Sequence, residues 1–432
     1  MPGRPALSVA LPVALAAALL VACTHAGEER RPEAAGGRGT ATHGTAAADT
    51  PAATDGHAAD PAGPPRGPFG LSLVASDDGE PLDVADFAPY EDCADCHERQ
   101  WKERAGSMHT LSHPDPLYRS TAELARAEAG PEIYAYCSGC HSPQGVTTGL
   151  IPDTPEEALP EIAKAGILCD VCHQVSRLTH ETSGWGEPGN ASFALSPDED
   201  RKFGPPDGDD EAAAHGVETR EFLDRSEFCA SCHTIIHPLN GLRLEHTYDE
   251  WKKSVYAEKG IHCQDCHMRS VEDAMKVAAA LAPIAVIGRS EPSGDKREIH
   301  PHYFVGGNAN AEVLGGSAKH GAMAEARLRS AARLQIELPP ALEAGEAFAF
   351  DVLVHNVGAG HNLPTSLTEL REMWVMLEVR SEDGEILFHS GHLEPDGEIP
   401  EGAMRFGAIG GDAQGRPTYK PWEVSQFLWK RL

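Results

Sequence analysis

The sequence is short of positive charge. Lys and Arg number 36 against 66 Asp and Glu, so the formal net charge is −30. This balance argues against nucleic acid as a partner, because phosphates require a basic surface, and it favours solubility and encounters with basic proteins. Beyond the N-terminal region the sequence also has no apolar run long enough to span a bilayer, so no spanning segment is expected there.

Cysteine outside a Cys-x-x-Cys spacing is almost absent from the sequence. The one exception lies near the N-terminus. Arg4 precedes the apolar stretch ALSVALPVALAAALLVA, which Pro12 interrupts and which has the length of a secretory signal. It ends in LVAC, which resembles the lipobox of bacterial lipoproteins. Residues 1–23 are therefore predicted to be a signal peptide that leaves an acylated Cys23, with an ordinary secretory signal as the alternative. Acyl chains would hold the exported protein on a membrane surface, in the periplasm or on the cell surface, without spanning the membrane.

Aromatic residues are almost missing from residues 24–85, where Phe69 is the sole Phe, Trp or Tyr. This stretch is rich in Ala, Gly, Thr, Pro and Asp, and such a composition cannot bury enough apolar surface to become ordered. We predict a disordered tether, whose sixty or so residues would have a reach of about 40–45 Å. Its three histidines are expected to be solvated: His25, His43 and His57.

Regular structure is sparse from 86 to about 320. The pattern predicts short helices over 120–129 and 155–165, and a longer helix over 247–260 that ends at a glycine C-cap. Long segments rich in Gly, Pro and Asp, such as 183–220, are unusual in a compact domain unless something other than side chains supplies its core.

The pattern changes after about 325. Segments such as ARLQIELP, AFAFDVLVHNVG, EMWVMLEVRS and GEILFHS alternate apolar and polar residues with period two. We predict an antiparallel β-sandwich, Ig-like, over 325–432. Only four or five strands fit where about seven are usual, so the sandwich is expected to be incomplete or the chain truncated.

The remaining ten cysteines all lie in one repeated motif, Cys-x-x-Cys-His. The five copies are CADCH (Cys93, Cys96, His97), CSGCH (Cys137, Cys140, His141), CDVCH (Cys169, Cys172, His173), CASCH (Cys229, Cys232, His233) and CQDCH (Cys263, Cys266, His267). Zinc would need half-sites that pair, and five do not pair. A redox dithiol usually occurs once, and structural disulfides give no reason for five histidines.

Covalent haem c explains every residue of the motif. Two cysteines three apart form thioethers with one porphyrin, and the next residue reaches the iron. The sequence therefore predicts five haem c groups in a mainly irregular and α-helical multihaem cytochrome domain over 86–320. About forty residues are available for each haem, so the haems are expected to replace much of the hydrophobic core.

Methionine is too scarce in this region to supply most of the second axial ligands. Only Met108, Met268 and Met275 lie there, whereas the chain has 22 histidines. Bis-histidine ligation, which lowers the reduction potential relative to methionine, is therefore the better prediction for most of the irons.

Several segments resemble the multihaem c-type cytochromes of the cytochrome c-554-like group, related to the tetrahaem cytochromes of ammonia oxidation. They are SMHTLSHPDPLY, KFGPPDGDDEAAAHG, TYDEWKKSVYAEKGIHCQDCHM, REIHPHYFVGGN and GAGHNLPTS. The resemblance implies that the distal ligands are His109, His215, His300, His302 and His361. His300 and His302 are two residues apart and face opposite sides of an extended segment, so they either serve two irons or one of them is a bystander. The reserves are His113, His180, His237 and His246.

Five iron centres in so short a chain favour single-electron transfer between redox proteins. One alternative is an enzyme, a reductase or oxidase of a small nitrogen or sulfur compound with one open haem. Another is a subunit of an extracellular filament, in which a histidine reaches a neighbour's iron. No catalytic residue is predicted, because the lysine that pentahaem nitrite reductases use in place of the motif histidine is absent from all five motifs.

Overall fold

The computed structural model describes residues 64–182, 185–204, 214–289, 295–341 and 348–432. The predicted signal peptide, Cys23, most of the predicted tether and its three histidines lie outside these ranges. Within them, no helix combines the length and the apolar character that crossing a bilayer requires.

Helices in the described ranges are short, and most belong to the cysteine-rich region. The α-helices are α1 (Glu98–Arg104), α2 (Pro116–Ala129), α3 (Pro131–His141), α4 (Pro143–Thr147), α5 (Glu161–Lys164), α6 (Cys169–His173), α7 (Ser226–Ala230), α8 (Thr247–Lys252), α9 (Val255–Glu258), α10 (Cys263–His267), α11 (Val271–Ala280) and α12 (Ala318–Ala331). The 3₁₀ helices are Val84–Asp86, Asp92–Asp95, Glu156–Ala158, Glu221–Asp224 and Thr368–Leu370.

The strands form small separate sheets. In chain order they are β1 (Ala75–Ser76), β2 (Val175–Leu178), β3 (Phe193–Leu195), β4 (Arg201–Gly204), β5 (Gly216–Thr219), β6 (Ile235–Ile236), β7 (Arg243–Glu245), β8 (Ile287–Gly288), β9 (Arg297–Glu298), β10 (Ala332–Glu337), β11 (Asp351–Asn356), β12 (Met373–Trp374), β13 (Leu377–Arg380), β14 (Ile386–Ser390), β15 (Arg405–Gly411) and β16 (Gln426–Arg431). The sheet orders are β1-β3-β2, β4-β5, β6-β7, β8-β9, β10-β11, β12-β15-β16 and β13-β14.

Local sequence explains where the predicted helices begin and end. Helix α2 starts earlier than predicted, because Asp115 caps it by accepting a hydrogen bond from the amide of Leu117, and Pro116 suits the first helical position. The predicted helix over 155–165 is broken in two, since Pro160 cannot continue a helix. The predicted helix over 247–260 divides at Ser254, whose backbone is extended, into α8 and α9.

The tether prediction is wrong for residues 64–85. Leu71, Leu73 and Val74 are buried, and β1 pairs in parallel with β3. The apolar run LSLVA at 71–75 is too short to predict an ordered segment among the polar residues around it. This short stretch therefore belongs to the core of the cysteine-rich region.

There is no room for a side chain at Gly139, which lies in the CSGCH motif on α3 and packs against the segment that precedes β1. A Cβ at this position would lie 2.7 Å from the Cβ of Ser72. We expect Gly139→Ala to lower the free energy of unfolding by about 1–3 kcal/mol, because the packed core must shift to admit the methyl group. Gly402→Ala is the matched control, since a Cβ there meets nothing within 4 Å. Equal thermal midpoints for the two variants would contradict this packing.

The C-terminal part contains seven described strands, β10 to β16, rather than four or five. Strands β10 and β11 pair antiparallel from Ala332↔Asn356 to Glu337↔Asp351. The extra strands include β15, which contains three glycines. Because glycine is uncommon in strands, its sequence did not predict one. Helix α12 runs directly into β10, so the change from helix to sheet falls after Ala331 and not between 320 and 325.

Candidate cofactor site

One cavity of about 2830 Å³ runs through the cysteine-rich region, and all fifteen motif cysteines and histidines line it. Pockets for a single small molecule usually measure about 300–1,000 Å³. This cavity is therefore large enough for several cofactors side by side, and the side chains that would attach them already face it.

Helical turns position the motif residues. Helices α6 and α10 consist of the motifs themselves, and α3 ends with one. On a helix, residues three and four positions apart lie on the same face. The two cysteines and the histidine of each of these motifs therefore point to one side, which is the arrangement that attachment to a single ring requires.

No disulfide bond joins any of the ten described cysteines. Several cysteines of different motifs nevertheless meet. Hydrogen bonds join Cys93 to Cys169, Cys229 to Cys263, and Cys232 to Cys140. The first motif thus lies beside the third, and the fourth lies beside both the second and the fifth.

Four of the five motif histidines face a second histidine. The ring centroids are 6.2 Å apart for His97 and His215, and 6.1 Å apart for His109 and His233, for His173 and His302, and for His267 and His361. Imidazole nitrogens bind a metal ion at about 2 Å, so two imidazoles on opposite sides of one ion have ring centres about 6 Å apart. Each pair therefore has the spacing that a shared iron requires.

In most of the motif histidines and of the histidines that face them, the backbone holds the ring nitrogen Nδ1. In six of them Nδ1 lies within hydrogen-bond distance of a carbonyl oxygen: His141 with Ser112 (2.6 Å), His173 with Phe203 (2.7 Å), His267 with Val305 (2.7 Å), His302 with His300 (2.7 Å), His361 with Asn362 (2.9 Å) and His215 with Gly216 (3.2 Å). A proton on Nδ1 that is donated to a carbonyl leaves the Nε2 lone pair free for a metal.

Burial keeps several of these imidazoles neutral. It lowers the pKa of His109, His267 and His302 to about 3, and that of His141 to about 4. Neutral imidazole is the form that binds a metal, so these side chains are ready to act as ligands at neutral pH.

His233 differs from the other motif histidines in its partner. Its Nδ1 lies 3.8 Å from a carboxylate oxygen of Glu245, which is buried on β7. Desolvation opposes protonation of His233, but the hydrogen bond and charge of Glu245, together with the nearby Cys140 and Cys263, raise the pKa of the imidazole. A carboxylate next to a ligating histidine makes the imidazole more basic and strengthens its donation to the metal.

His141 has no imidazole opposite it among the described residues. Its ring instead stacks on Tyr118, with centroids 3.8 Å apart and planes 5° apart. The hydroxyl of Tyr118 lies 3.1 Å from that of Ser138, which fixes the aromatic ring in place. The second motif therefore offers one axial ligand where the other four offer two.

The structure places His300 away from the motif histidines that pair. Its Nδ1 lies 3.4 Å from a carboxylate oxygen of Asp224, and its carbonyl holds His302. Of the two histidines in HPH, His302 thus faces an imidazole and His300 supports it.

Among the reserve histidines, His237 has both nitrogens in use. Nε2 lies 3.1 Å from the carbonyl of Trp422, and Nδ1 accepts from the amides of Leu239 and Asn240. His113 is buried and lies 3.3 Å from Glu156. These two imidazoles have structural partners in the fold.

The described residues contain no group of three or more His, Cys, Asp and Glu side chains arranged around a metal ion. The imidazoles come in pairs. A porphyrin supplies four nitrogens to its iron, so a pair of axial imidazoles completes that coordination. The side chains present therefore fit haem. The part of the site that sequence reasoning missed is Tyr118, Glu245 and Glu369, for which the sequence has no distinguishing pattern.

No protein-family model matches the sequence, and no curated protein matches it. Among solved structures, the fold is similar to that of a penta-haem cytochrome c552 from Thermochromatium tepidum, with a TM-score of 0.51 and 19% sequence identity. The match covers 80% of this chain and 84% of that one. The chain therefore shares its fold with that protein over most of both lengths.

Proposed function

We propose that the protein is a multihaem c-type cytochrome that carries single electrons through five covalently bound haems. The observation that carries this proposal is the set of four imidazole pairs, each of which includes the histidine of a CxxCH motif on the wall of one cavity. The motif cysteines would form the thioethers, the motif histidines would be proximal ligands, and His215, His109, His302 and His361 would be the distal ones.

The contacts between motifs support electron transfer. The thiols of the fourth motif meet those of the second and the fifth, and the first motif meets the third. Cys172 of the third motif is also within electrostatic reach of Cys229 and Cys232. All five redox centres would therefore be connected, with the fourth at the junction.

The C-terminal part would contribute to ligation. His361 follows β11 in a loop, so this part supplies the distal ligand of the fifth motif. We propose that its three small sheets, with seven strands in all, form an Ig-like sandwich against the cavity. The acidic chain would meet basic or weakly charged redox proteins, and export with lipidation at Cys23 would hold it on the outer membrane, facing the periplasm or the cell surface.

His141 favours a second candidate function. With Tyr118 stacked on its ring and no histidine opposite within the described residues, the second haem would keep an open iron position. A small nitrogen or sulfur compound could be reduced or oxidised there. In a third candidate, a filament, a neighbouring copy would supply the missing ligand, and dilution to the monomer would then free that position.

The test is a haem count combined with carbon monoxide titration. We expect pyridine haemochrome to give five haems per chain. Carbon monoxide should bind one of the five in the dilute, reduced protein, because among the described residues the second motif alone offers a single axial ligand. The optical and EPR spectra should be otherwise low-spin. Fewer haems, or free thiols in the mass spectrum of mature protein, would contradict the proposal.

Nitrite distinguishes the carrier from the enzyme. Binding of nitrite with turnover by the reduced protein would favour the enzyme. Binding of carbon monoxide without turnover of nitrite or a sulfur oxyanion would favour the electron carrier.

A further inference from the structure

A buried glutamate lies in the cavity wall on the 3₁₀ helix Thr368–Leu370. Glu369 is 3% exposed, lines the cavity, and has no hydrogen-bond partner on another described residue for either carboxylate oxygen. An ionised carboxylate is strongly disfavoured where it is both buried and unpaired, and such a group takes up a proton instead. The carboxyl group of Glu369 can therefore be either protonated or ionised.

The charged groups around Glu369 come from three elements. Glu245 lies on β7, Lys430 on β16 and Arg371 just after the 3₁₀ helix, while Asp115, at the start of α2, acts on Arg371. Burial favours the protonated carboxyl and Glu245 adds to this effect, whereas the backbone amide of Glu369 itself, Lys430 and Arg371 oppose it. Burial prevails, and the pKa of Glu369 rises from 4.5 to about 7. Its proton therefore exchanges near neutral pH.

Glu369 and Glu245 both line the cavity, and their carboxylates interact electrostatically. Glu245 lies 3.8 Å from Nδ1 of His233, the histidine of the fourth motif, and also acts on the pKa of His141. A unit of negative charge added at the fourth haem would repel the carboxylate of Glu369, because charges interact strongly through a low-dielectric interior.

We propose that Glu369 binds a proton when the haem of Cys229, Cys232 and His233 accepts an electron. The inference rests on the proposed function, because it requires that haem. One electron from a one-electron donor protein reduces the ferric iron to ferrous, and one proton from solvent converts the carboxylate of Glu369 to a carboxylic acid. The charge added by the electron is balanced by the proton, and only an O–H bond is formed.

The test is a redox titration over a range of pH. In the wild type, we expect one component to become harder to reduce as pH rises through about 7, by up to about tenfold in the reduction equilibrium per pH unit, or about 59 mV for a one-electron couple. Glu369→Gln should flatten this dependence, since the amide cannot take up the proton, and Glu369→Asp should restore part of it.

Glu372→Gln is the matched control. It removes the same charge three residues away, from a carboxylate that is 63% exposed and lies 3.8 Å from Arg405. This variant should keep the wild-type dependence on pH. Infrared difference spectra should show a carboxylic acid band on reduction that Glu369→Gln abolishes and Glu372→Gln retains.

Two results would overturn the inference: a wild-type potential that does not change with pH, or the same slope in Glu369→Gln. The haem count and spectra of each variant are measured first. A shortfall of haem in the wild type counts against the proposed function, whereas five haems with a pH-independent potential count against Glu369 alone.

Discussion

Produced without haem attachment, the protein is expected to lose the cooperative fold of its cysteine-rich region. The cavity measures about 2830 Å³. An unfilled cavity costs stability in proportion to its size, and native proteins are stable by only about 5–15 kcal/mol. Entry of water would reduce this cost, but water cannot replace the apolar contacts of a porphyrin. The measurements are near-UV circular dichroism, limited proteolysis and thermal unfolding of material from a host that lacks cytochrome c maturation.

A variant that loses a single haem provides the control. Replacing Cys137 and Cys140 with serine removes only the second attachment site, so a weakened but cooperative fold is expected. If the haem-free chain unfolded cooperatively at the temperature of the mature protein, the cavity would not be the space that haem fills.

The second large effect is expected at His302. Replacing it with glycine should convert the haem of Cys169 and Cys172 from low-spin to high-spin, because the ring opposite His173 is lost. The number of haems that bind carbon monoxide should rise from one to two per chain. Added imidazole should occupy the space of the missing side chain and restore the low-spin spectrum, as measured by optical and EPR spectroscopy.

His300→Gly is the matched control, two residues away in the same segment. Its side chain pairs with Asp224, and its carbonyl, which holds His302, is kept in the variant. Its spectrum and carbon monoxide stoichiometry should equal those of the wild type. A high-spin haem in His300→Gly with none in His302→Gly would reverse the assignment of the two histidines.

Most of what the sequence could predict of the site came from the spacing of residues within each motif. Spacings of three and four residues within one motif fix which side chains share a helical face, so the attachment residues needed no tertiary information. The partners across each iron depend on long-range packing. His97 and His215 are brought together by everything folded between them, and spacing alone cannot select His215 over another histidine. The resemblance to known cytochromes supplied that choice.

Other features were hidden because their cause is tertiary. Residues 71–75 read as part of a tether, since the partner that buries them, β3, lies over a hundred residues away. Glu369 lies in the unremarkable sequence TEL, and only the fold shows that its carboxyl is buried without a partner. The strands of the C-terminal part were visible from their alternation, whereas glycine-rich β15 was not.

The position of His361 has a mechanical consequence. Its loop follows β11, whose partner β10 continues directly from α12, so the chain enters and leaves this hairpin close to the cavity. In the proposed ligation, tension applied to the C-terminal end, by a partner or a surface, would act on the bond between that imidazole and the iron. Detachment would open a coordination position and shift a potential, so force on this end of the molecule would become an electrical signal.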